Sequence, residues 1–387
     1  MSTTLLPERT VPTPEAFGLV WPEFNDGLTY TDVVKEADKC STLIQFYSSK
    51  YRNSAPLQGR WNQRIHNGQI TIDNQVVTDP DATLRAGSKL LYHRQPWREP
   101  DAPYILDILF EDEDVLAVNK PSGLQVLPGG LFQERTVLTQ LLWRAEKHTI
   151  LLGSYGNLKG HSNHPVPVHR LGRGTSGVLL CAKTKLAKAR LAAYFADGTS
   201  SVKANQNTVV DNASFRRISK VYRAVVQGII TVDEVVIKQP IGTIQYPGVA
   251  TGLYVASSLG KPAWSKVSVL ERDVQRGQTL VQVEIHSGRP HQIRIHLAFL
   301  GHPLVGDPLY IIGGHPECLE LGCTDTSFAK DGGYPRPLKP VPGDCGYHLH
   351  AHRLVFCHPT KEEVIEVEAP LPPTLHTSEE TKRSCGR

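Results

Sequence analysis

The chain has 387 residues, a formal net charge of +4, 40% hydrophobic residues and 21% charged residues. That length exceeds one ordinary domain and the composition is that of a soluble globular protein, so a main domain with an appendage is expected. No run of about 18 apolar residues occurs, which excludes a membrane-spanning helix. Residues 1–30 carry Glu8, Glu15, Glu23 and Asp26 against Arg9 and have no apolar core, which argues against a transit or signal peptide and for a cytoplasmic or nuclear location.

Residues 31–98, after an extension over 1–30, read as a small independent unit. Thr31-Asp32-Val33-Val34-Lys35 opens a helical stretch that continues to Leu43, Ile44 and Phe46, and Trp61–Ile65 sits on a second short helix. Gly68–Val77 alternates as strand, turn and strand, and Ala86–Tyr92 closes with another strand. From Lys50 to Arg98, the basic residues Lys50, Arg52, Arg60, Arg64, Arg85, Lys89, Arg94 and Arg98 face only Asp73, Asp79 and Asp81. The net charge is too small to prove nucleic-acid binding, but this local excess makes the unit a basic module.

Pro96 to Pro103 forms a Pro- and acid-rich linker, with the boundary at 99–104. The main domain, 105–372, follows with strands expected at Ile105–Phe110, Val115–Asn119, Gly177–Ala182, Val221–Gln227, Lys266–Glu271 and Thr279–His286, and helices at Leu186–Phe195 and Pro290–Leu300. Many short strands with few helices argue for an α+β fold with a mixed, mostly antiparallel sheet. Ser200–Ser214 and Pro316–Pro342 read as surface insertions, and 373–387 as a C-terminal tail.

The seven cysteines are odd in number and lack paired spacing, which reads as reduced thiols. His315, Cys318, Cys323, Cys345, His348, His350 and His352 could in principle supply zinc ligands, but their spacing is irregular and no metal is assigned.

Four blocks in the main domain carry chemistry. They are Asn119-Lys120-Pro121-Ser122-Gly123-Leu124, His169-Arg170-Leu171-Gly172-Arg173-Gly174-Thr175-Ser176-Gly177, Lys220–Gly228, and Gly288-Arg289-Pro290-His291-Gln292-Ile293-Arg294-Ile295-His296 with its continuation to Tyr310. With Leu349–Leu354 and Ala369–Pro372, these blocks resemble, in the same order, those of the RluA-type RNA pseudouridine synthases. Residues 31–98 resemble the small RNA-binding module named after ribosomal small-subunit protein four.

The resemblance implies a sheet with a central RNA cleft, an isomerase that turns uridine into pseudouridine, no cofactor, and rRNA or tRNA as partner. It names no protein partner. It places a stacking aromatic at Tyr222 and a charge partner for the catalytic acid at Arg294. RNA contacts fall to Lys120, His169, Arg170, Thr175 and Arg289, and in the module to Arg60 and Arg64. The family's catalytic Asp corresponds to Gly172, and a Gly can be neither nucleophile nor base. Three readings stay open. Asp307 or Asp114 could replace the acid, the chain could bind RNA without converting it and leave Arg294 for a phosphate, or conversion could use a route the sequence does not display.

Overall fold

The computed structural model describes residues 15–51, 60–151, 164–204, 217–246, 249–316, 328–331, 334–337 and 344–385. In the N-terminal module, strand β1 (Leu28–Val33) pairs antiparallel with β4 (Lys89–Arg94), which also pairs with β2 (Ile70–Ile72); β2 turns into β3 (Gln75–Val76). The turn uses Asp73 and Asn74 at φ 50° and 70°, the left-handed region that Asx side chains tolerate best after Gly. Two helices, α1 (Leu43–Lys50) and α2 (Arg60–His66), cover the sheet, and Leu43, Phe46, Tyr47, Trp61, Ile65 and Leu90 fill the space between. A capping box between Thr42 and Gln45 starts α1.

The expected helical opening at 31–35 is corrected by this arrangement. Thr31, Asp32 and Val33 are strand, aligned with Leu91, Leu90 and Lys89. β-branched side chains fit the pleat better than a helix, and the ladder to β4 satisfies their backbone groups.

The main domain is built on β5 (Leu106–Glu111), β6 (Val115–Lys120), β7 (Ser176–Ala182), β8 (Ile218–Gln227), β9 (Glu234–Ile237), β10 (Ser265–Asp273), β11 (Gln278–Ile285), β12 (Leu349–Cys357) and β13 (Val364–Glu368). Their order across the sheet is β5-β6-β7-β12-β8-β11-β10-β9, with β13 also on β12. All these pairings are antiparallel except β7 with β12. Leu116–Val118 and Leu179–Cys181 are continuous buried runs because both sheet faces are covered. Helix α3 (Val137–Leu151) sends Val137 and Leu141 into the core on one face, and α4 (Lys185–Ala204) sends Ala187, Leu191 and Tyr194 into the core on the other. Helix α5 (Gln292–Phe299) is buried along most of its length.

Three boundaries expected from sequence are crossed by packing and hydrogen bonds. Ala16–Phe17 of the N-terminal extension adds a strand beside β5 in the main sheet, while its last residues, Leu28–Tyr30, start the module's β1. At the other end, Leu375 is buried and α6 (Ser378–Cys385) places Glu380 on Arg223 in a two-point ion pair, so the tail packs on the sheet. The linker is equally fixed. Glu99 accepts the backbone N–H groups of Gln133, Glu134 and Arg135 and the Asn25 side-chain amide, while the buried Trp97 indole donates to Leu131 O. Of the two expected insertions, 205–214, 317–327, 332–333 and 338–342 lie outside the described residues; the start of the first continues α4, and Phe328–Asp331 with Tyr334–Pro337 form a hairpin.

Candidate active site

The parallel pair gathers the site. Ser176 and Gly177 on β7 align with His350 and Ala351 on β12, so the segments leading into both strands emerge at the same end of the sheet. A Cβ on Gly177 would stand 2.2 Å from Ala351 O, and its φ is +107°, so only Gly lets the two backbones approach this closely. The end of β6 is there too, Lys120 pairing with Gly177. On β8 a bulge between Val221 and Arg223 sets Tyr222 beside the same stretch of β12.

The signature loop is held from below by Lys120, whose side chain is buried and whose Nζ lies within hydrogen-bonding distance of the carbonyls of Pro121, Leu124 and Arg173, at 2.8, 2.8 and 3.1 Å. Burial pushes this amine down to about 7. Gly123 N donates to Arg173 O and the Ser122 hydroxyl to Gly174 O, completing the cradle.

Both glycines in the loop face occupied space. A Cβ on Gly172 would stand 2.8 Å from the Tyr347 hydroxyl and 3.4 Å from Thr175 Oγ1. A Cβ on Gly174 would stand 2.8 Å from Asp344 O, 2.8 Å from Cys345 Cα and 2.9 Å from the Tyr347 ring. The lead-in segment 344–347 therefore takes the volume that side chains at 172 and 174 would need. Between them Arg173 reaches Asp344 through two hydrogen bonds, Nε to Oδ2 at 2.8 Å and Nη2 to Oδ1. The Asp344 side chain is 38% exposed and Arg173 21%.

Arg294 lies across this arrangement, its guanidinium 4.3 Å from the Tyr347 ring centre and 4.9 Å from that of Tyr310. It is clamped by Asp307, Nε to Oδ2 at 2.7 Å and Nη2 to Oδ1 at 2.6 Å, with 2% and 0% of the side chains exposed. Burial alone would lower the Arg294 pKa, yet the Asp307 bonds outweigh it and hold the group charged. Asp307 also caps the amides of Leu309 and Tyr310.

Two expectations are corrected here. Arg294 is not left for a phosphate, because a buried cation needs a buried partner and Asp307 supplies it. Neither carboxylate named from sequence can replace the acid. Asp307 is enclosed by its four bonds, and Asp114 precedes Val115 at the far end of β6, bonded to Thr184 and Thr360.

Tyr222 is 7% exposed and belongs to the main core with Leu171, Tyr347, Leu349 and Ala351; burial raises its pKa. The His169 ring buttresses the loop: its Nε2 accepts from Leu180 N, it stacks 4.8 Å from Phe195, and burial pushes it to about 3, which keeps it neutral. Thr175 is buried against the Tyr347 hydroxyl, and Lys120 is bonded to three carbonyls, so both support the loop. Arg170 is exposed beside them. Arg289 is half-buried and donates to Pro262 O.

In the module, Arg64 is buried with its guanidinium 4.6 Å from the Trp61 ring centre and 5.3 Å from Tyr92, and Arg94 stacks 3.3 Å over Trp97. Both stiffen the interior, which corrects the expectation that Arg64 faces phosphates. The Arg60 side chain lies outside the described residues. Lys35, Lys39, Arg85, Lys89 and Arg98 are exposed in this unit, Lys39 beside Glu36 and Arg98 beside Asp101, with Lys50 paired to Asp32. Of the histidines and cysteines weighed as zinc ligands, Cys318 and Cys323 lie outside the described residues; the His350 ring meets Ser176 Oγ at 2.8 Å and the His352 ring meets Ala369 O.

Sequence reasoning missed Asp344, Tyr347 and Lys220. The signal for the first two was the pair of glycines at 172 and 174, which announces an intruding segment. Lys220 is placed with Nζ 3.6 Å from a Cβ position on Gly288, and burial pushes it to about 8; it thus joins the Lys220–Gly228 and Gly288–His296 blocks.

The sheet with its loop-lined end and the clamped Arg294 lies in the main domain, beside a module built of a four-stranded sheet and two helices. Residues 114–299 match the family described as RNA pseudouridylate synthase. RNA pseudouridine synthase 5 of Oryza sativa subsp. japonica is 61% identical over 383 residues, 97% of this chain and 95% of that protein. Its namesake in Arabidopsis thaliana is 60% identical over 96% of this chain and 100% of that protein. Ribosomal large subunit pseudouridine synthase D of Vibrio vulnificus is 30% identical over 91% of this chain and 94% of that protein. The chain belongs to the RluA-type RNA pseudouridine synthases.

Proposed function

We propose that the protein isomerises uridine to pseudouridine in a structured rRNA or tRNA, with Gly172 standing where the family carries its Asp. The observation that carries this reading is the meeting of the 169–177 loop, the Tyr222 bulge and the Arg294 helix at one end of the sheet. The reaction exchanges a C1′–N1 bond for a C1′–C5 bond in an isomer of the same composition, so no cofactor is required. It does need the uridine out of its stack, at about a few kcal/mol, and Tyr222 is the aromatic that would receive the base. The name of the Vibrio vulnificus relative supports rRNA as substrate.

A second reading, an RNA-binding protein that does not convert uridine, is favoured by one observation: residue 172 has no side chain. Mapping pseudouridine in total RNA with and without the protein separates the two. New pseudouridine at defined uridines supports conversion, and bound RNA with an unchanged map supports binding alone.

A further inference from the structure

The carboxylate absent from the signature loop has a counterpart on the segment that fills the loop's empty space. Within the loop, residue 173 is a cation whose backbone is pinned by Lys120 and Gly123 and whose guanidinium grips Asp344 at two points. Asp344 is more than a third exposed beside the signature loop, whereas Asp307 is sealed and Asp114 lies at the other end of the sheet. Its own backbone passes so close to Gly174 that no side chain fits between them. The Asp344 charge also bears on His291 at the start of the Arg294 helix.

We propose that Asp344 is the catalytic carboxylate of this enzyme, delivered by the lead-in to β12 and oriented by Arg173, in place of an acid at residue 172. The assignment rests on the conversion of uridine argued above. The carboxylate takes the proton from the ribose 2′ carbon as the C1′–N1 electron pair leaves with the uracil. After the base turns, its C5 bonds to C1′ and the 2′ carbon recovers its proton from the carboxyl group. The C5 proton passes to N1 through solvent, so the enzyme ends as it began and no co-reactant is consumed. The two-point hold by Arg173 keeps the carboxylate at one position and angle, which a general base needs to reach a C–H proton.

The test uses the full chain with unmodified rRNA and tRNA transcripts under single turnover. Asp344→Asn keeps an acceptor for Arg173 and should lower the rate of pseudouridine formation roughly 100-fold or more, as removal of a general base does, with RNA retention and melting temperature unchanged. Asp344→Ala should lose product likewise and regain it on addition of formate, a rescue that a merely structural role would not give. Asp114→Asn should retain the parental rate. Product from Asp344→Asn or Asp344→Ala within about threefold of the parent rate, loss of product only in step with loss of folding, or no formate rescue, overturns Asp344. No product from the parent on RNA that it binds overturns the conversion reading and this assignment together; product from the parent and the Asn variant alike overturns only the assignment.

Discussion

Gly172 and Tyr347 occupy one site between them: a methyl group on the first would meet the hydroxyl of the second at 2.8 Å, and with that oxygen gone the next neighbour is Thr175 Oγ1 at 3.4 Å. Tyr347 is buried and packed against Arg294, so it cannot swing aside without moving the guanidinium. Gly172→Ala should therefore destabilise the parent by about 1–3 kcal/mol, the usual range for overpacking. In a Tyr347→Phe background the same change should cost less, with a coupling of about 0.5–3 kcal/mol in a double-mutant cycle by denaturant unfolding. Equal costs in both backgrounds would refute the shared volume. By the same geometry, Gly172→Asp alone disrupts the site before it adds an acid.

Asp307 is a structural anion. Replacing it with Asn leaves the Arg294 charge buried without its counterion and should cost about 3–5 kcal/mol. Urea unfolding of Asp307→Asn checks this. A variant as stable as the parent that lacks activity would instead restore Asp307 as a candidate for the chemistry.

Lys120 links the loop to pH. Its amine sits at about 7 in the folded chain against 10.5 for an ordinary Lys, so between those values the unfolded chain binds a proton that the folded chain has released. Stability must then rise with pH across that window and fall again as pH drops toward 7. Compared with Lys120→Met, the parent should gain stability from pH 7 to 10 with a slope approaching about 1.4 kcal/mol per pH unit. Parallel pH profiles for the two proteins would contradict it.

RNA affinity in the module should rest on its exposed cations. Arg85→Gln with Lys89→Gln should reduce the salt slope of RNA binding by about one for each phosphate no longer neutralised. Arg64→Ala, which removes a stacked guanidinium from between Trp61 and Tyr92, should lower the module's melting temperature and leave the salt slope of the folded protein alone. The reverse pattern would put Arg64 on the RNA.

The blocks around Lys120, His169–Gly177, Tyr222 and Arg294 were legible because each is contiguous, and the alternation of short strands pointed to the mostly antiparallel sheet. What was hidden depends on distant partners. Thr31–Val33 is strand because β4 lies beside it, a neighbour that no local pattern contains. Arg64 and Arg94 read as surface charge, yet an Arg plane can lie on an indole as readily as in water. Asp344 precedes its block by a few residues and meets Arg173 only because β7 and β12 run parallel. A search confined to acids near the signature loop in sequence could not find it.

Glu99 and Trp97 fasten the linker to residues 131–135 of the main domain, so any lengthening of the linker would have to break the hydrogen bonds that hold it there.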